Sequence, residues 1–129
     1  MIDTLTSVDY ATVIAFSTEA RPLGGRSTLL KATKYNKERM QIFIRGLRAS
    51  GGTHFLGAFE GVSAALGSQG SGCNAVVLFM SDGEPTTAPS FIEIEAQAAA
   101  RGAHVLRARP RVPRRPRASR GWAGAAGRC

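Results

Sequence analysis

The pattern of apolar and polar residues along the chain predicts strands that alternate with helices. Residues 11–17 are rich in β-branched and aromatic side chains, which is typical of a strand. A Pro and Gly turn signal at 22–25 separates them from a second short strand at 28–32, and the two strands are expected to form an antiparallel hairpin. The uninterrupted apolar run at 75–80 indicates a strand covered on both faces, and residues 103–106 predict a further strand.

Three helices are predicted between these strands. The first spans residues 36–49 with Asn36 as its N-cap, the second starts after Thr53, which is a suitable cap, and the third follows Ser90 and ends before Gly102. Their apolar stripes are Met40, Phe43, Ile44 and Leu47 in the first helix, Phe55, Phe59, Val62 and Leu66 in the second, and Phe91, Ile94 and Ala98 in the third. This order of elements predicts a layered α/β domain with a largely parallel sheet.

Charge divides the chain of 129 residues into two parts. Residues 1–106 contain nine basic and nine acidic residues, so their formal charges cancel. Residues 107–129 contain eight Arg and no acidic residue, and they account for the whole net charge of +8. A segment of Arg, Pro, Gly and Ala cannot build an apolar core, so a disordered basic tail is predicted after a single domain at 1–106.

Other sequence signals exclude several classes of protein. Cys73 and Cys129 are too few for a disulfide framework and have no metal-ligand spacing. No apolar run approaches the roughly 20 residues of a transmembrane helix. The first residues lack the basic and then apolar pattern of a secretory signal, so neither a transmembrane segment nor a signal peptide is expected.

Two short motifs are candidates for a binding site. Asp82 directly follows the buried strand, where open α/β sheets place their ligands, and its carboxylate with the Ser81 hydroxyl suits a hard cation. Gly51, Gly52 and Thr53 combine a backbone that a ligand can approach closely with an oxygen at a helix start. The alternatives are a plain Asp-Gly turn and a helix connector with a Thr cap, which residue type alone favours.

No set of residues typical of catalysis is found. Ser63 lies within a predicted helix and lacks the glycines of a nucleophile elbow. His54 and His104 have no partner at metal-ligand or catalytic spacing. We therefore expect the protein not to be an enzyme.

Three blocks of the chain together resemble the von Willebrand factor type A (VWA) domain. Residues 9–18 resemble the second strand of that family, residues 51–59 resemble its Gly-Gly-Thr loop and the following helix, and residues 74–85 resemble its fourth strand and Thr-Asp-Gly turn, with Ser81 in place of Thr. The spacing is similar to that of the voltage-gated calcium channel alpha-2/delta branch. The resemblance covers roughly residues 1–106 and implies an α/β fold with a doubly wound, mostly parallel sheet and helices on both faces.

The resemblance implies a cation site at the carboxyl end of the sheet, the metal-ion-dependent adhesion site of the family. In that site Thr53 takes the role of the family's Thr and Asp82 that of its Asp, with Ser81 and Gly52 beside them. The family's Asp-x-Ser-x-Ser loop does not occur in this sequence, and neither does the strand before it. Most side-chain ligands are thus absent, and Mg²⁺ or Ca²⁺ binding is expected to be weak or absent, since these ions take about six oxygens.

The missing first strand also has a consequence for the sheet. In the family that strand lies at the centre, between the strands that correspond to 11–17 and 75–80. We expect these two strands to face each other without a partner between them, or to pair directly. Unpaired strand edges of this kind promote aggregation.

The function that the sequence favours is a non-enzymatic, adhesion-type protein-binding module. In an intact parent protein, a VWA domain binds its partner through a divalent cation. The alternative is binding of nucleic acid or another acidic surface by the Arg-rich tail, but a solvated tail without a ligand is favoured, so nucleic acid is an unlikely partner. The resemblance implies an extracellular or membrane-attached location, although no signal peptide is visible.

Overall fold

The structure is a computed structural model, and it describes residues 2–48, 50–68, 74–81, 91–100, 102–108 and 121–128. Its strands are β1 (Asp9–Phe16), β2 (Ala20–Pro22), β3 (Leu30–Lys31), β4 (Asn74–Ser81), β5 (Ala103–Ala108) and β6 (Gly121–Arg128). Its helices are α1 (Lys34–Arg45), α2 (Phe55–Gly67) and α3 (Phe91–Ala99), and short 3-10 turns span Ile2–Thr4 and Leu23–Gly25. The six strands form one sheet with helices on both faces, which confirms the predicted α/β class.

The strand order across the sheet is β2-β1-β6-β4-β5, and β3 also pairs with β1. β6 runs antiparallel to both β1 and β4, while β4 and β5 are parallel. Because both neighbours of β6 run opposite to it, β1 and β4 point in the same direction. Among the described strands, parallel pairing is limited to β4 and β5. The sheet is therefore mostly antiparallel, where the sequence predicts a mostly parallel one, and the reason is the reversed strand at its centre.

This central strand, β6, comes from the segment that its composition predicts to be disordered. The prediction of disorder is wrong for residues 121–128, and β5 also extends past residue 106 to Ala108. Residues 121–128 contain no Pro and a single Arg, so they differ from the Arg and Pro run at 109–120, which lies outside the described residues. A strand with neighbours on both sides satisfies its backbone donors and acceptors and needs few apolar side chains.

β6 also fills the gap that was expected between β1 and β4. All eight of its residues have register partners on both neighbouring strands. The expectation that the strands at 11–17 and 75–80 face each other unpartnered, or pair directly, is therefore wrong. Neither β1 nor β4 presents an open edge toward the other.

The helix starts differ from the predicted caps. Thr33 caps α1 and accepts a hydrogen bond from the Asn36 N–H (3.3 Å), so Asn36 is not the N-cap. The N-cap of α2 is His54, which makes no side-chain capping bond, and Thr53 lies one residue earlier. The predicted cap of the third helix, Ser90, lies outside the described residues. None of the helices described is both long enough and apolar enough for a bilayer crossing.

The main core lies between the sheet and the helices α2 and α3. It contains alternate residues of β1, β4 and β6 together with the apolar stripe of α2, and its members include Ile14, Phe16, Phe55, Phe59, Val62, Val77, Phe79, Ala123 and Ala125. The predicted stripe of α2 is thereby confirmed, since Phe55, Phe59 and Val62 are buried and Leu66 packs against them. Small residues of β6 stand opposite large ones of β4.

The opposite face of the sheet is only partly covered. There α1 packs through Met40 on Ala11 and Val13 of β1. Beyond α1 the face is open, and Val76 and Leu106 are 39% and 56% exposed. The two faces of the sheet thus differ in coverage, and the closely packed side is the one on which α2 lies.

Candidate functional site

The carboxyl ends of β1 and β4 lie at the same edge of the sheet. Phe16 and Ser81, the last residues of the two strands, both pair with Gly121, the first residue of β6. Adjacent strands are about 4.8 Å apart, so the two strand ends are roughly 10 Å from each other. We call this edge the carboxyl rim and define it as Ser17, Thr18, the loop 51–54 and Ser81.

Two hydrogen bonds attach the Gly-Gly-Thr loop to the end of β1. The His54 N–H donates to the Ser17 carbonyl oxygen at 2.8 Å. The Gly52 N–H donates to the Thr18 side-chain oxygen Oγ1 at 3.1 Å. These bonds hold both flanks of Thr53 against the residues that follow β1, so the loop is fixed at the rim.

Gly51 meets two requirements of this attachment. Its φ of +76° lies in the left-handed region, which L-residues with a side chain rarely adopt. A Cβ at this position would lie 2.5 Å from the Thr18 Oγ1 atom, the acceptor of the Gly52 hydrogen bond. The sequence predicts that a ligand approaches the backbone at Gly51, and in the structure the Thr18 side chain occupies this position.

Beneath the rim, three phenylalanines join the strands to the start of α2. The ring centroids of Phe16 and Phe79 are 4.9 Å apart, and that of Phe55 lies 5.9 Å from the first and 4.8 Å from the second. Phe55 comes two residues after Thr53, and Phe79 comes two residues before Ser81. The loop and the end of β4 are therefore positioned by one packed cluster of rings.

Ser81 lies on the face of β4 that packs against α2. Residues at alternate positions of a strand share a face, and Ser81 lies two positions after Phe79, which belongs to the main core. Ser81 is 2% exposed and Thr53 is 6% exposed. Both residues make polar or packing interactions within the protein. They are thus held in place by the fold rather than presented as free surface hydroxyls.

Gly121 permits β6 to enter the sheet directly under the rim. A Cβ on Gly121 would lie 2.5 Å from Cε2 and 2.6 Å from Cζ of the Phe16 ring. That ring is buried and stacked on Phe79, so it has little space to move. A glycine is required here, and composition alone gives no signal for it.

The structure locates three of the four predicted site residues. Gly52, Thr53 and Ser81 lie at the carboxyl rim, and Asp82, the residue after Ser81, lies outside the described residues. The role of Asp82 therefore stays a prediction. Ser17 and Thr18 were not predicted as part of the site, although polar residues directly after a strand are the same signal that identified Asp82.

The chemistry of the described rim is mainly that of neutral oxygens. Its side-chain donors and acceptors are the hydroxyls of Ser17, Thr18, Thr53 and Ser81 and the imidazole of His54. Within the described residues no group of three or more His, Cys, Asp or Glu side chains is arranged to hold a metal ion. Mg²⁺ and Ca²⁺ prefer a shell of about six oxygens that includes carboxylates, so the described residues alone do not fit either ion.

The fold and the rim together define an α/β domain with hydroxyl groups at the carboxyl edge of its sheet. The chain is similar to the voltage-dependent calcium channel subunit alpha-2/delta-2 of Homo sapiens, Mus musculus and Rattus norvegicus, with 29% identity over 86 residues in each. The match covers 64% of this chain but 8% of the human and mouse subunits and 7% of the rat subunit. The chain thus corresponds to a small part of these relatives.

No family model matches the chain, and no solved structure matches it. Similarity to the alpha-2/delta branch, which the sequence motifs predict, is confirmed at the level of these relatives. Membership of the VWA family remains a prediction.

Proposed function

We propose that the chain is a non-enzymatic protein-binding module of the von Willebrand factor A type, and that its binding face is the carboxyl rim. The observation that supports this most directly is the attachment of the Gly-Gly-Thr loop to the end of β1, beside the end of β4. The similar proteins are, by their name, subunits of a channel. The proposal extends this kind of role, assembly with another protein, to the present chain.

The rim is suited to recognition by hydrogen bonding. Thr18 is exposed and Ser17 and His54 are half-buried, so their side chains are the rim groups open to a partner, whereas Thr53 and Ser81 are buried. In the proposal Asp82 adds one carboxylate next to Ser81. The loop is already held by the bonds of His54 and Gly52, so binding needs little further ordering of the backbone. A preorganised polar edge above a rigid aromatic cluster favours selective rather than indiscriminate contacts.

A divalent cation has at most a minor role in this proposal. Thr53 and Asp82 offer one neutral oxygen and one carboxylate, and the sequence contains no Asp-x-Ser-x-Ser loop. We therefore expect Mg²⁺ or Ca²⁺ to bind weakly or not at all, and no step of partner binding depends on the ion.

The binding face is tested by site-specific photo-crosslinking. A photoreactive amino acid replaces Glu19, an exposed residue in the turn directly after β1, or Ser68, an exposed residue after the last turn of α2. α2 starts at the rim and has 13 residues, so Ser68 lies about 20 Å from the rim. We expect a crosslinked partner from the Glu19 position that is absent from the Ser68 position and is lost with Asp82→Asn. Identical products from both positions would refute the rim as the binding face.

The cation is tested separately by a calorimetric titration of Mg²⁺ and Ca²⁺. Any heat is expected to be small and to disappear in Asp82→Ala, while Glu60→Gln, which removes an exposed charge on α2, should leave it unchanged. Heat that persists unchanged in Asp82→Ala would contradict the assignment of Asp82.

A further inference from the structure

The positive charge of the domain is concentrated in one segment. Residues 20–48 contain a single acidic residue, Glu38, and eight basic ones: Arg21, Arg26, Lys31, Lys34, Lys37, Arg39, Arg45 and Arg48. Six of the eight are exposed, and Lys37 and Arg39 are half-buried. Because residues 1–106 are neutral as a whole, this segment has a net charge of +7 that the rest of the domain balances with negative charge. The charge is thus unevenly distributed along the domain, and its exposed basic residues are concentrated in this segment.

Part of this basic segment encloses a groove. The groove lies between β2 with its following turn and the end of α1 with the residues after it, and it has a volume of about 510 Å³. Arg21, Pro22 and Gly24 line one wall, and Ile42, Phe43 and Leu47 line the other. We call this feature the α1 groove. Its volume is in the range that accommodates one or two side chains of a bound peptide.

Arg39 lies beside the α1 groove, next to Gly24, which lines it. Its guanidinium carbon lies 5.6 Å from the centroid of the Tyr35 ring, and its Nη2 atom lies 3.5 Å from the position that a Cβ would occupy on Gly24. The side chain therefore extends from α1 toward the opposite wall. Arg21, which is exposed and lines that wall, places one guanidinium group on the groove, and Arg39 places a second one at its edge beside Gly24.

The walls between these two groups are apolar. Ile42 is 68% exposed, and Pro22, Phe43 and Leu47 are half-buried. An exposed apolar strip rimmed by charged residues is typical of an interaction surface. Guanidinium groups bind carboxylates with two parallel hydrogen bonds, so the arginines of the groove select acidic groups while its walls select an apolar side chain.

We propose that the α1 groove binds a partner protein through an acidic peptide segment that inserts one apolar side chain. A nucleic acid fits the groove less well, because single strands are held by stacking on free aromatic faces. Phe43 is half-buried, and one face of the Tyr35 ring is covered by Arg39. The α1 groove shares no residue with the carboxyl rim, so this proposal is independent of the proposed function.

The test is fluorescence polarisation of the full chain with a labelled peptide of alternating Asp and Glu around one central Leu. We compare the double variant Arg21→Glu and Arg39→Glu with Lys34→Glu and Arg45→Glu. The second pair changes the net charge equally, lies in the same segment and lines no part of the groove. We expect about a tenfold or greater loss of affinity for the first pair. For the second pair we expect a loss of roughly threefold or less, since these two charges act on the peptide mainly through long-range attraction.

Ile42→Ser tests the apolar wall without a change of charge. Because Ile42 is largely exposed, the fold should tolerate the substitution, which a thermal unfolding curve checks. We expect weaker binding with an unchanged salt dependence. The proposal is overturned by any of four results: no binding of the peptide, equal losses for the two charge pairs, equal affinity for a peptide with Gly in place of Leu, or tighter binding of a DNA oligonucleotide.

Discussion

The two strands at the centre of the sheet, β4 and β6, are held by different means. β4 places Val77 and Phe79 in the main core, where both are fully buried. β6 places only Ala123 and Ala125 opposite them, although these alanines are equally inaccessible. Burial of a Phe or Val side chain contributes about 1.5–3 kcal/mol, and burial of an Ala methyl group contributes much less.

The difference teaches that a central strand does not need large apolar side chains. β6 has register partners along its whole length on both β1 and β4, so its backbone groups are satisfied in the ladder. Its small residues leave room for the rings of β1, β4 and α2, which pack above them. β4 stabilises the sheet through side-chain burial, whereas β6 stabilises it through backbone pairing and close approach.

The largest effect is expected from removal of a backbone donor in β6. Ala125→Pro deletes one N–H in a strand with neighbours on both sides, leaves its acceptor carbonyl unsatisfied and forces the Pro ring into the ladder. We expect a loss of at least about 3 kcal/mol in the free energy of unfolding, measured by chemical denaturation.

The matched control for this substitution is Lys34→Pro. Lys34 is the exposed first residue of α1, and Thr33 before it already has an extended backbone (φ −65°, ψ 160°), so Pro should be tolerated there. Equal stability of Ala125→Pro and the unchanged chain would mean that residues 121–128 do not form a central strand.

The next effect compares a side chain on the packed face of β4 with one on its open face. Phe79→Ala removes the ring that contacts Phe16, Phe55 and Phe59, and we expect a cost of about 3–5 kcal/mol. Val76→Ala, at a 39% exposed position of the same strand, should cost less than about 1 kcal/mol. Similar losses for both variants, from urea unfolding curves, would contradict the unequal coverage of the two faces.

The smallest effect tests the close approach of β6 to β1. Gly121→Ala introduces a methyl group 2.5 Å from the Phe16 ring, and we expect about 1–3 kcal/mol of destabilisation. In the same strand Gly127 has its nearest neighbour at 3.8 Å, so Gly127→Ala should be neutral or stabilising by less than about 1 kcal/mol. A reversed order of melting temperatures for these two variants would show that the strand pairs in another register.

Much of the fold follows from local patterns in the sequence. The apolar run at 75–80 and the stripe of Phe55, Phe59 and Val62 predict β4 and α2 because both elements bury apolar side chains. The expectation that β4 is covered on both faces is wrong, since Val76 is 39% exposed. β6 has no such pattern, since it depends on partners that are distant in sequence. Its composition, read together with the neighbouring Arg and Pro residues, predicts disorder instead.

The candidate site was predictable only in part. Gly51 and Thr53 stand out because a glycine pair before a helix is a local signal. Thr18 carries only the weak signal of a polar residue after a strand, and its hydrogen bond with Gly52 shows its role in the site. Gly121 lies under the rim, where a side chain would collide with the Phe16 ring, and no sequence motif signals this requirement. The assignment of Asp82 still rests on sequence alone.

The most direct test of the account is a nuclear Overhauser measurement on the isotopically labelled full chain, aimed at the backbone protons of Gly121. The account predicts cross-strand contacts from Gly121 to both Phe16 and Ser81, because β6 lies between β1 and β4 at the carboxyl rim. Contacts to neither residue, or direct cross-strand contacts between Phe16 and Ser81, would contradict it.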